Sequence, residues 1–156
     1  MKILALIFLL GLTLIASADV VRPAPGFTWD GPSRANSLRA VRGQPVVLLI
    51  AKSGSVRRFR AQLKKLRPLY QEFASRKVVF VAALADGSES VRSDIPFAIA
   101  ANGAQVAADY GAERKFNIVL IGKDGNVDYQ TDRVLPASRV RDVIANSFVE
   151  QTDRRQ

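Results

Sequence analysis

Between Lys52 and Arg58 the chain reads Lys-Ser-Gly-Ser-Val-Arg-Arg, a polar stretch that interrupts an aliphatic run. Serine hydroxyls favour the start of a helix, and the free amides and positive end of such a helix could hold a phosphate, sulfate or carboxylate. Lys52, Ser53, Gly54, Ser55, Arg57 and Arg58 therefore make the candidate anion site. The plainer reading of the same residues is simple capping with solvated charges. Arg57, Arg60, Lys64, Lys65 and Arg67 extend the cationic character along the helix. Such a stripe could dock on an anionic surface with an affinity that salt screens.

Other groups point to less. Asp124-Gly125-Asn126-Val127-Asp128 looks like the opening of a calcium loop, but Tyr129 stands where that loop needs glycine and Leu135 where it needs a bidentate glutamate. Turn chemistry explains it. Asp86, Glu89 and Asp94 could pair as acid and base, although a polar loop without a burial signal reads as solvated acids. Phe27 and Trp29 could form a ligand shelf; closing one end of a core is the preferred reading. The chain has no cysteine and no histidine. Thiolate attack, disulfide exchange and peroxide reduction all need a sulfur nucleophile, and zinc, haem and copper sites lean on imidazole or thiolate. No catalytic residue, metal or cofactor is expected.

The elements that would position these residues begin after an export signal. Lys2, the apolar run Ile3 to Ile15 and the small residues Ala16-Ser17-Ala18 read as a secretory signal over 1–18. An uncleaved anchor is the rival, but about 13 apolar residues fall short of the roughly 20 that span a bilayer. No cysteine follows the run for lipid attachment, so a periplasmic or secreted protein without a transmembrane span is expected. Residues 19–26, with Pro23 and Pro25, form an extended lead; 27–149 make one domain, and 150–156 a flexible tail. Discounting Lys2 from the 23 basic residues leaves 22 against 14 acidic ones. That surplus favours a protein partner or an anionic envelope component, while the absence of an aromatic platform or helix-turn-helix pattern argues against sequence-specific nucleic-acid binding.

Within the domain, Phe27-Thr28-Trp29 suggests a short strand, followed by a turn at Asp30-Gly31-Pro32. Val46 to Ala51 and Val78 to Leu84 are continuous aliphatic runs of strand length that want cover on both faces. A helix capped by Ser53 to Ser55 runs to about Ala74, gathering Val56, Phe59, Leu63, Leu66, Leu69, Tyr70 and Phe73 on one face; Pro68 should kink it near Lys64 to Leu66. Ile95 to Ile99 reads as a third strand, Gly103 to Tyr110 as a short helix closed by Gly111, and Phe116 to Ile121 as a fourth strand. Lys123 to Asn126 turns into Val127 to Thr131, and a last helix begins near Pro136 with Val140, Val143, Ile144 and Phe148 inward. This order implies an α/β sandwich with a central mixed sheet of about five strands flanked by helices.

In register, these segments resemble the thioredoxin-fold redoxins, the peroxiredoxins and periplasmic thiol reductases. The matching pieces are Ala24 to Phe27, Leu38 through Arg42-Gly43-Gln44-Pro45 to Leu49, Arg60 to Leu63, Leu69 to Phe73, Val78 to Val81, Val106 to Ala112 and Leu120 to Gly125. The resemblance implies a thioredoxin-like sandwich and a degenerate site. Val56 and Phe59 stand at the two sulfur positions, and Phe116 replaces the cis-proline opposite them. It also implies that a peptide's acidic group could bind at the helix start, where thioredoxin folds take extended peptides. Phe116 to Gly125 and Phe148 to Gln151 are similar to the bacterial thioredoxin-like domain of unknown function 4174, which implies a role without thiols. A non-redox binding or accessory protein is the expected function. The alternatives are a basic structural protein on envelope surfaces and, less favoured, a carboxylate hydrolase.

Overall fold

A computed structural model describes residues 22–30 and 36–153. The expected signal at 1–18, the start of the lead, Gly31-Pro32 of the expected turn and the last three residues of the tail lie outside these. Six strands form one mixed sheet in the order β1-β4-β3-β2-β5-β6, with β1 at Trp29–Asp30, β2 at Val46–Ala51, β3 at Val79–Leu84, β4 at Ala98–Ala100, β5 at Asn117–Ile121 and β6 at Val127–Thr131. Strands β2, β3 and β4 run parallel, while β5, β6 and β1 pair antiparallel with their neighbours. The aliphatic runs of β2 and β5 are buried along their whole length, as central strands covered on both sides must be. The mixed sheet flanked by helices is as expected, with six strands of which the two-residue β1 forms the edge beside β4.

Alternation along the strands divides the core. Val47, Leu49 and Ala51 face α1 (Arg57–Leu66), α2 (Tyr70–Ser75) and α4 (Ala137–Asp153); Val46, Leu48 and Ile50 face α3 (Gly103–Asp109) together with Phe27 and Trp29. The aromatic pair belongs to that second core, with ring centroids 5.9 Å apart, as the preferred reading held. The lead docks on the hairpin: the Ala24 amide donates to the Gly125 carbonyl at 3.0 Å and the Val127 amide to Arg22 at 2.8 Å.

Three local expectations need correction. The serines do not cap α1, whose N-cap is Val56 with no side-chain bond, because Ser53 Oγ and Ser55 Oγ lie 2.8 Å apart and satisfy each other. The single helix to Ala74 is instead two, separated by a 3-10 turn at Arg67–Leu69. Pro68 has no amide to give and its ring crowds the preceding turn, so the chain tightens there rather than bending upstream. The third strand begins at Ala98, not Ile95, since Pro96 cannot donate to a ladder. Elsewhere the turn chemistry holds. Asn102 Oδ1 accepts the Gln105 amide at the start of α3, and Gly111, at φ 65°, ends it with Ala112 donating to Ala107 at 2.7 Å. Gly103 is required by a close approach, because a Cβ there would overlap the Leu84 carbonyl.

Candidate functional site

The end of β2 delivers the chain to the start of α1, the corner where the candidate anion residues were expected to gather. The structure separates them. Lys52 is exposed, and its carbonyl accepts the Asp86 amide at 2.9 Å. Ser53 carbonyl accepts the Val56 amide, folding Ser53, Gly54 and Ser55 into a tight turn before the helix. Arg57 is exposed, whereas Arg58 Nη1 donates to the Asp132 carbonyl at 3.0 Å and so reaches toward the segment after β6. Of the expected set, Gly54 and Ser55 border the groove described below.

On the other flank of α1 the corner is closed by hydrocarbon. Phe59 and Phe116 are buried in one cluster, against which Val56 packs. Gln62 is also fully buried, a position that sequence reading missed. Its Nε2 donates to the Leu135 carbonyl at 3.2 Å, and the Leu135 amide donates to its Oε1 at 2.7 Å. One side-chain amide thus satisfies both backbone groups of Leu135 and ties α1 to the approach of α4. The available signal was its spacing, three residues after Phe59 and four before Leu66, on the buried stripe. Leu63, on that stripe as expected, is half-buried: it packs against the same cluster and also borders the groove on the opposite flank.

That opposite flank borders a groove of about 560 Å³ lined by Ser55, Arg60, Lys64, Arg67, Arg92 and Asp94 around Leu63 and Ile95. Arg60, Lys64 and Arg67 belong to the cationic stripe; Lys65 is exposed outside the lining. Arg92 and Asp94 come from the long connection between β3 and β4. Among the described residues Arg60, Lys64 and Arg92 have no ion-pair partner, while Arg67 Nη2 meets Asp94 Oδ2 at 3.3 Å with both side chains three-quarters exposed. Four cations and one carboxylate therefore share a concave, solvated site. The other acids are scattered in role: Glu89 is exposed, and Asp86 is exposed and accepts the Ser88 amide at 2.9 Å. Those hydrogen bonds from Ser88 hold the Asp86 carboxyl below its usual range.

A parallel β2-β3-β4 core extended by an antiparallel β5-β6 hairpin, with helices on both faces, defines a thioredoxin-like α/β fold. Solved structures share it. A protein described as the thiol:disulfide interchange protein DsbE from Chlorobium tepidum superposes with a TM-score of 0.65 at 19% identity, covering 84% of this chain and 99% of its own. Plasmodium vivax 2-Cys peroxiredoxin gives 0.62 at 16%, covering 83% and 96%, and a thiol:disulfide interchange protein from Bacteroides sp. gives 0.62 at 16%, covering 79% and 86%. No curated protein matches the sequence. Residues 38–151 match the family described as Domain of unknown function (DUF4174), and the chain belongs to it.

Proposed function

We propose that this protein is a non-redox binding or accessory module that holds an anionic partner in the groove beside α1. The observation that carries this reading is the convergence of Arg60, Lys64 and Arg92, without carboxylate partners, on one concavity that Ser55 and Gly54 close at the helix start. The candidate helix-start residues thereby join the stripe: Gly54 and Ser55 border the ligand, and the unpaired first-turn amides and cations supply the field. A chain without cysteine has no thiol to exchange, and the positions where the redoxin resemblance expects sulfur carry Val56 and Phe59. The sequence over 1–18 supports action in the periplasm or outside the cell. A carboxylate hydrolase gains no support, since Asp94 is engaged by Arg67 and Asp86 by Ser88.

Retention on immobilised polyglutamate, eluted by salt, tests the reading. Arg60→Ala with Lys64→Ala should abolish retention, and Arg57→Ala with Arg58→Ala should reduce it only slightly. The reverse order would return the site to the helix start. The unmodified protein should not accelerate insulin reduction by dithiothreitol; acceleration would overturn the non-redox assignment.

A further inference from the structure

We propose that the groove takes an extended acidic peptide segment whose carboxylates fall at alternate residues, with Asp94 standing in for one of them when no ligand is bound. The inference rests on the binding function above and specifies its ligand. Cations four apart on a helix are separated by about 6 Å along its axis, and those three apart by about 4.5 Å. Same-side residues of an extended strand recur every 6.5 to 7 Å or so. Arg60, Lys64 and Arg67 can therefore meet successive carboxylates of a strand lying along α1, with small displacements of their flexible side chains.

Asp94 is the second observation. The protein's own carboxylate already rests on Arg67 at the end of the stripe, in a contact exposed enough to exchange with an incoming carboxylate. Between the cations, Leu63 and Ile95 give an apolar strip suited to small side chains that alternate with the acids. No aromatic side chain lines the groove to stack a base or a sugar, and a flat bilayer would engage the convex positions Arg57 and Lys65 in preference to a concave site.

Fluorescence anisotropy on the full chain separates the outcomes. The probes are a labelled decapeptide of alternating glutamate and alanine, its isomer with the glutamates in adjacent pairs set apart by alanine pairs, inorganic phosphate as competitor, and vesicles of equal phosphatidylcholine and phosphatidylglycerol. The alternating peptide should bind about tenfold more tightly than the paired isomer, because only it presents same-side carboxylates at successive steps of about 6.5–7 Å. Arg60→Ala with Lys64→Ala should weaken it by about tenfold or more. Asp94→Asn, by removing the internal competitor, should tighten it by about two- to fivefold. Equal binding of the two peptides, stronger binding of vesicles, or an Asp94→Asn variant no tighter than wild type overturns this inference while leaving an anion-binding groove in place. Absence of binding by every probe, or binding indifferent to Arg60 and Lys64, overturns the proposed function itself.

Discussion

Phe59 and Arg60 are neighbours on α1, yet one is sealed against Phe116 and the β2 face of the sheet while the other points into an open groove. The buried flank of the helix, Phe59, Gln62 and Leu66, is complete: its apolar surface is covered and its one polar side chain has both bonds made. The exposed flank is incomplete in the opposite sense. Arg60 and Lys64 lie one turn apart, like charges at that spacing repel by about 0.2–0.5 kcal/mol, and neither has a counter-ion among the described residues. The comparison separates what the fold needs from what it merely carries. The residues that seal the corner are those for which the redoxin resemblance expects thiol chemistry, and the unpaired charges lie on the helix's other side.

The strongest way to break this comparison is to open the sealed flank. Phe59→Ala should lose about 3–5 kcal/mol in urea unfolding, the cost of a large cavity in a core between two helices and a sheet. A loss below about 1 kcal/mol would mean that the corner is not closed as described. Gln62→Leu probes the polar member of the same flank. Similar in size but unable to hydrogen-bond, leucine leaves the Leu135 amide and carbonyl buried without partners, and a loss of about 2–3 kcal/mol is expected. A neutral result would show that water reaches Leu135.

Tyr110, on the other face of the sheet, is a second buried polar side chain with its bond made. Its hydroxyl donates to the Pro25 carbonyl at 2.8 Å, and burial pushes the phenol above its ordinary value of 10.0. Tyr110→Phe should cost about 1 kcal/mol at neutral pH. The folded state holds the neutral phenol, so Tyr110's contribution is full below pH 10.0 and is lost as pH rises from there toward the higher folded value. The gap between wild type and Tyr110→Phe should narrow in alkaline unfolding curves; a gap that widens contradicts the sign.

The sealed flank was more legible in sequence than the open one. The aliphatic runs of β2 and β5 are strand-length and almost unbroken, Gly111 and Asp124-Gly125 announce chain reversals by turn chemistry, and Val56, Phe59 and Phe116 are apolar residues of ordinary core type. Their meaning is local. Arg92 was invisible because a connection without periodicity carries no sign of the helix it will lie against; its place is set by the parallel crossover from β3 to β4. Ser53 and Ser55 misled because either can cap a helix alone, but here their hydroxyls bond each other and the Ser55 amide, and neither reaches the first turn of α1. Gln62 was lost among apolar neighbours because its partner, Leu135, is 73 residues away.

The smallest expected effect is the most discriminating. Arg60→Ala with Lys64→Ala removes two exposed cations without an ion-pair partner among the described residues, so stability at physiological salt should stay within about 0.5 kcal/mol of wild type. At low ionic strength the sign should turn in the variant's favour, because repulsion between successive turns of α1 is then least screened. Adding salt should therefore stabilise wild type slightly more than the double variant in parallel thermal melts. A clear destabilisation of the variant, undiminished by salt, would mean that these side chains pack as part of the core's edge. The groove would then belong to the architecture, and the contrast between the two flanks of α1 would no longer separate folding from binding.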